Sequence, residues 1–394
     1  EDLGKYQSLQ VPINTCEELQ YLEYKSLNQQ KLKNLQYRLL NFFFQYLRKD
    51  EVLHFHNPNL GKNPIVIYCL YRLAENGVPV FNHAHDFAED RPFNWDFIHL
   101  ILNDYFNLNP ESTMYPIKWK NYQFGVINSF DKNRLLDRGI PQSIIHYIPN
   151  PVVIPETTHT YNKKESRQKI TDILKLDPDK TIITYPVRVI RRKNIGELIL
   201  LSELFFKNAV FLVTLAPENP LEIEAYIRWK SFCLENNLQN VYFEVGKLVN
   251  FDVLMHGSDF CITTSIREGF GMVYMEPWLY YTPVTGRNID YITKDFAASG
   301  MVFHNLYKKI VLPDADADFK DLTEAEQMDY ILKVKKQVEL KEQMFQLNQS
   351  LKTLFDPVDE TIIENNIEKI VKQYSLKNYG RKLMEVYQGL FSQP

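Results

Sequence analysis

The chain has 394 residues, enough for two domains of ordinary size, and its 45% apolar and 13% aromatic content can fill two cores. A net charge of −4 gives no reason to expect nucleic acid as a partner, and no run of 18 apolar residues marks a transmembrane segment. Cys16, Cys69, Cys233 and Cys261 are scattered without the spacing of a disulfide frame or a zinc site; with no signal peptide visible, a reducing, cytoplasmic setting is expected.

Residues 15–50 carry Leu, Gln, Lys and Tyr at helical spacing. A strand is expected over 51–56, then the loop Asn57-Pro-Asn-Leu-Gly-Lys-Asn-Pro64 and a helix over about 65–76 that Asn76-Gly77 ends. Val78-Pro-Val-Phe-Asn-His83-Ala-His85 is the next strand, and 122–128 another. A helix from Ser129 or Asp131 to Arg138 follows, and His146-Tyr-Ile-Pro149 closes this half. Strands alternating with helices predict the α/β class. The proline-bearing stretch 149–165 is the expected linker. A second α/β set has strands near 181–187, 209–215, 241–245, 259–264 and 283–285. A polar, acidic insert lies at 312–327, and 360–392 is helical by pattern.

Two strands of the first half end in histidine pairs, His54 with His56 and His83 with His85. Period-two spacing puts each pair on one face of its strand. Three readings stay open. One is a zinc or iron site, although no Cys or further His completes either pair and Asp86 adds little. Another is strand-end residues held by hydrogen bonds. The third is a substrate site at the strand carboxyl ends. His56-Asn57-Pro with Gly61-Lys62-Asn63 looks like a second substrate loop. Asp86, Glu89, Asp90 and Arg91 are either acceptor-binding groups or a solvated loop.

The second half holds the more specific pattern. After the strand at 259–265 comes Arg-Glu-Gly-Phe-Gly-Met-Val-Tyr-Met-Glu-Pro (267–277). Gly269 and Gly271 let the backbone turn tightly and approach a ligand. A helix starting near Gly271 would aim unpaired N–H groups at an anion. A carboxylate beside a phosphate is repulsive, so Glu268 and Glu276 are expected to meet hydroxyls. On a helix they stand about 12 Å apart along the axis, the reach of a sugar–diphosphate–ribose unit. The alternative is an ordinary connection with two exposed glutamates. Likewise the strand 181–187 runs into Arg188, Arg191, Arg192 and Lys193, which read as anion ligands at a carboxyl edge or as a solvated basic turn.

Together these residues resemble glycosyltransferase family 4, the retaining nucleotide-sugar transferases. Arg188 and Lys193 match its Arg and Lys after the first strand of the second domain. Residues 268–276 match its E-G-F-G-x-x-x-x-E motif without a gap. Val245-Gly246-Lys247-Leu248 resembles its strand-end glycine before the nucleotide-base loop. Tyr281-Thr-Pro-Val284 resembles its Gly-Thr-Pro-Val, with Tyr281 where glycine usually stands. These matches lie within residues 185–290.

The resemblance implies a GT-B architecture of two Rossmann-like domains facing each other across a cleft. Residues 1–155 would form the acceptor side, with 376–394 packing back on it, and 156–375 the nucleotide-sugar domain. The implied reaction is metal-independent, retaining transfer of a hexose from a nucleotide-diphosphate sugar to the hydroxyl of a small molecule or glycan. Arg188, Lys193 and the amides of 269–272 would stabilise the leaving diphosphate. Glu276 would hold the ribose, and Glu268 the sugar near the reacting carbon. Gly269, Phe270, Gly271, Met272 and Leu248 would line the donor site, and His85 would lie near the transferred sugar. His56, Asn57, Lys62, Asp86, Glu89 and Asp90 are the acceptor-side candidates. No cofactor is implied beyond the donor. Asp314-Ala-Asp316-Ala-Asp318 superficially resembles the metal motif of the other glycosyltransferase fold, but its acidic, helix-flanking context predicts a solvated loop and no metal. The family's first domain opens with a strand and a Gly-rich loop, whereas residues 1–50 show only Gly4. Two other readings remain: an epimerase of the same architecture, with Asp86, Glu89 and Asp90 as acid/base candidates, and a non-catalytic binding module.

Overall fold

A computed structural model describes residues 12–23, 27–48, 50–155, 162–315 and 317–391, so Gly4 and Asp316 lie outside the described residues. The chain divides into two compact units. One runs to Pro149 and takes in the segment from Gly380; the other spans Asn150–Tyr379. Among the described residues no helix is long and apolar enough to cross a membrane.

The first unit is a parallel sheet of β1 (Leu53–His56), β2 (Val80–Ala84), β3 (Tyr122–Val126) and β4 (Ile145–Tyr147), in that spatial order. Every residue of β2 and β3 is buried, as expected for parallel strands covered on both faces. Helix Pro64–Glu75 follows β1, with proline in its first turn, where the missing N–H is not needed. Where 15–50 read as helical, the helix is Gln29–Tyr46, started by Asn28, whose side chain accepts from the Lys31 amide. Its Leu32, Leu39 and Phe43 form the buried face.

The second unit is a six-stranded parallel sheet in the order β10-β9-β8-β5-β6-β7. Its strands are β5 (Thr181–Arg188), β6 (Ala209–Leu215), β7 (Val241–Tyr242), β8 (Phe260–Thr263), β9 (Val284–Arg287) and β10 (Leu306–Tyr307). The sheet is wound outward from β5: β6 lies on one side and β8 on the other, so the strand order reverses between β5 and β8. In open parallel sheets, ligands bind at such a reversal, outside the strand carboxyl ends. Pro186 sits in this central strand because the β5–β6 register shifts between Tyr185 and Arg188.

Several sequence expectations change. The division falls at Pro149/Asn150, ahead of the expected boundary at 155. Val152 is buried and its amide donates to the Tyr374 carbonyl at 2.8 Å, which ties this stretch into the second unit. The expected solvated loop at 314–318 is anchored at Asp318, which takes both Arg287 Nη atoms at 2.8 Å. Arg287 Nε reaches Glu197 Oε1 at 2.8 Å, and Tyr307 Oη donates to the same oxygen at 2.7 Å. This buried network joins β9, β10, the insert and helix Ile195–Leu204.

Candidate functional site

The loops after β5 and β8 are stitched together from beneath. Buried Tyr185 donates its hydroxyl to the Lys193 carbonyl at 2.5 Å. Thr264 Oγ1, just past β8, donates to the same carbonyl at 2.9 Å and to that of Asn194 at 3.1 Å. The Ile266 amide donates to the Arg192 carbonyl at 3.0 Å. The basic turn Arg191–Lys193 is thereby held against the glycine turn, although 75 residues separate Lys193 from Glu268.

Glu268 lies in this junction with its side chain only 8% exposed. Lys193 Nζ donates to its Oε1 at 2.5 Å and Arg192 Nη1 to its Oε2 at 2.7 Å. Burial opposes ionisation of Glu268, but Lys193 and Arg192 outweigh it and hold the carboxyl below its ordinary range. Burial also draws the Lys193 ammonium downward, against the pull of Glu268. Tyr291 Oη accepts from the Glu268 amide at 3.0 Å and donates to its carbonyl at 2.7 Å. Neither Arg192's contact nor Tyr291 was singled out from sequence, and for Tyr291 no local signal existed.

Glu276 is different. It is half-buried, no hydrogen-bond or ion-pair partner holds it among the described residues, and burial alone pushes its carboxyl upward. Arg188 extends toward solvent and forms a bidentate pair with Glu218 at 2.7 and 2.8 Å. A hollow of about 550 Å³ opens beside Pro186, Arg188, Arg192, Lys193, Glu218 and Glu222.

The expected helix after Gly271 is not there. Two short 3-10 turns, Met272–Tyr274 and Glu276–Tyr280, take its place. Pro277 lacks the N–H that a continuing helix would need. The helical rise of about 12 Å between the glutamates therefore does not apply, and the glycine turn opens no α-helix. Gly271 is nonetheless required: its φ is +86°, and a Cβ there would meet Ile292 Cγ2 at 2.5 Å. Phe270 anchors the turn, its ring buried against Phe296 and Tyr374, so its side chain is core rather than donor contact. Met272 is half-buried, and Leu248 is 64% exposed after the turn Val245–Lys247. Tyr281, where the resemblance places glycine, has φ +58°, the left-handed conformation glycine would take freely.

In the first unit the two histidine pairs come together, because β1 and β2 pair in parallel with His56 opposite His83. His54 Nε2 lies 3.1 Å from His83 Nδ1, and His56 Nδ1 lies 3.3 Å from His85 Nε2. Burial, reinforced by mutual repulsion of charged rings, pulls His54 down to about 3, His83 to about 2 and His85 to about 4. The cluster is therefore neutral at pH 7.

The acid candidates beside it are already engaged. Asp86 takes Arg91 at 2.9 Å and Asn57 Nδ2 at 3.1 Å. Asp90 takes a bidentate Arg134 at 2.7 and 3.2 Å. Glu89 takes Arg138 at 2.6 Å and Tyr115 Oη at 2.7 Å. These carboxylates brace the loop through their arginines, so they do not form the solvated loop that was the alternative. Asn57, at φ +60°, turns the chain and accepts from the His85 and Asp86 amides. Lys62 is half-buried, and its carbonyl accepts from Leu22.

No protein-family model matches this sequence. The chain is similar to a mannosylglucosyl-3-phosphoglycerate synthase of Petrotoga mobilis (strain DSM 10674 / SJ95), at 31% identity over 287 residues covering 71% of this chain and 54% of the relative. It thus spans about half the length of that relative. A mannosylglucosylglycerate synthase of the same organism is 25% identical over 353 residues, covering 81% of this chain and 74% of the relative. Among solved structures, a glycosyltransferase from Rickettsia africae ESF-5 is similar over 95% of this chain and 85% of its own, with a TM-score of 0.59 and 16% identity. That last likeness is one of fold: α/β with two parallel sheets, of the GT-B type expected from sequence. The homology is to glycosyltransferases.

Proposed function

We propose that this chain catalyses retaining transfer of a hexosyl group from a nucleotide-diphosphate sugar to an acceptor hydroxyl, as a member of glycosyltransferase family 4. One observation supports the reading: the loops after β5 and β8 meet at the reversal of strand order, where Arg192 and Lys193 reach Glu268 and Arg188 ends β5. The relatives' names agree with transfer of a sugar.

In this reading the donor diphosphate occupies the hollow beside β5. Arg188 exchanges Glu218 for phosphate oxygens at little cost, since exposed ion pairs contribute at most about 1 kcal/mol. Lys193 and Arg192 turn from Glu268 toward the same oxygens. The freed Glu268 carboxylate then accepts from sugar hydroxyls, and half-buried Glu276 accepts from the ribose. The bond from the anomeric carbon to the diphosphate breaks as the acceptor oxygen bonds to the same face, and the acceptor's proton passes to the leaving phosphate oxygen. The three cations stabilise the charge that grows there, the role a metal fills in other transferases. The resemblance gives His85 the orientation of sugar or acceptor. An epimerase needs free acid/base carboxylates in the first unit, and Asp86, Glu89 and Asp90 are each held by an arginine. The four cysteines are free, three of them buried, which fits the reducing cytoplasmic setting we propose.

The relatives' names make glucosylglycerate and its phosphate the first acceptors to try, with nucleotide-diphosphate mannose and glucose as donors. Mass spectrometry should show an acceptor gaining one hexose, with nucleoside diphosphate released, and NMR should show the donor's anomeric configuration kept. Inverted product would reject the retaining mechanism. Absence of product and of free nucleoside diphosphate across the donor panel would reject the transferase reading.

A further inference from the structure

The histidine cluster of the first unit has the chemistry of a metal site. Ring nitrogens of His54, His56 and His83 all lie within 4.8 Å of one another, on two adjacent strands whose parallel register sets His56 beside His83. Two imidazoles bound to one tetrahedral ion at about 2.0–2.1 Å stand about 3.3 Å apart. His54 Nε2 and His83 Nδ1 are 3.1 Å apart, close to that span.

The far sides of these two rings are also placed as a metal site requires. A ligating histidine is oriented through its second nitrogen, commonly by a backbone carbonyl. His83 Nε2 lies 3.4 Å from the Ile148 carbonyl, an acceptor that suits an N–H on that nitrogen, and Nδ1 is the nitrogen that faces His54. His54 Nδ1 lies 2.6 Å from Tyr387 Oη, on the last helix. His56 is exposed, so the open side of the cluster faces solvent. The cluster has no thiolate, so imidazole-binding divalent ions are favoured over the softer metals that select sulfur.

We propose that His54, His56 and His83 bind a divalent transition-metal ion of the zinc or cobalt class, with the fourth position left to water, and with Tyr387 and the Ile148 carbonyl orienting the rings. This takes up the metal reading that the sequence left open for the histidine pairs, and it leaves the metal-independent sugar transfer as expected. It is independent of the diphosphate chemistry in the second unit, and its test uses no nucleotide sugar. Untagged full-length protein, stripped with chelator, is titrated with Zn²⁺ by calorimetry and with Co²⁺ by visible absorption. The expected result is one ion per chain at micromolar protein, with the strong visible bands of tetrahedral Co²⁺. Exposed His56→Ala should abolish the bands and weaken Zn²⁺ binding at least 100-fold while circular dichroism stays unchanged. Tyr387→Phe should weaken it about 10–100-fold, as loss of an orienting partner does. Absent uptake by the wild type, octahedral Co²⁺ spectra, or equal uptake by His56→Ala would overturn the proposal.

Discussion

Glu268 and Glu276 belong to one motif yet face opposite physical tests. Glu268 is buried and ion-paired with Lys193 and Arg192, so it contributes to stability as well as to binding. Glu268→Gln should lower unfolding free energy by about 1–3 kcal/mol, the range for hydrogen bonds to charged groups, and cut kcat/KM by about 10²–10³-fold. Its pH dependence has a definite sign. The cations lower this carboxyl in the folded chain against the opposing effect of burial, so its stabilisation is present above the unfolded value near about 4.3 and is lost as the pH falls through the lower folded value. The stability gap between wild type and Glu268→Gln, read from urea unfolding, should therefore narrow as the pH falls below the unfolded value of about 4.3. Glu276 has no such partner among the described residues, and burial disfavours its charge. Glu276→Gln should raise the donor KM with stability equal to or above wild type. If it destabilises as much as Glu268→Gln, the ribose role fails. The motif and its spacing were legible in the chain; the partners were not, because Lys193 reaches Glu268 only through the pairing of β5 with β8.

At the scale of elements, periodicity located what was long and misjudged what was short. The strands of the second half were expected near 181–187, 209–215 and 259–264, and β5, β6 and β8 lie there as buried apolar runs. β10 has two residues and no periodicity to read. The glycine turn ends in 3-10 turns because Pro277 interrupts the helical pattern there, a conflict that the sequence contained and that the spacing argument overlooked. The acidic insert shows the same limit. Asp314 and Asp318 look equivalent in an Asp-Ala repeat, but Asp314 is exposed, and Asp318 caps the turn Phe319–Asp321 and holds buried Arg287. Asp318→Ala leaves that guanidinium with Glu197 as its sole carboxylate partner among the described residues, and should cost about 3–5 kcal/mol. Asp314→Ala should cost about 1 kcal/mol or less. Equal losses in thermal unfolding would show that the insert is a solvated loop after all.

At the scale of the whole molecule, α/β alternation in two halves was readable, since each unit repeats the same buried-strand pattern. The union of four histidines was not, because only the β1–β2 register shows that two pairs on separate strands share one place. The last helix is a further long-range link. It spans Leu376–Phe391 and counts with the first unit from Gly380, although its sequence neighbours lie in the second. Its Tyr387 reaches His54 and packs edge-on to Phe81, and Lys382 lies over the Tyr147 ring. Val386 and Leu390 are the buried residues of this helix, worth about 1.5–3 kcal/mol each. Ending the chain after Tyr379 should therefore destabilise the first unit by several kcal/mol while the second keeps its own core. Hydrogen exchange resolves the two: amides of β1–β3 should lose protection, and those of β5, β6 and β8 should retain it. Uniform loss across both sheets would mean that the two units unfold as one cooperative body, and that the last helix stabilises the chain as a whole rather than the sheet that carries the histidines.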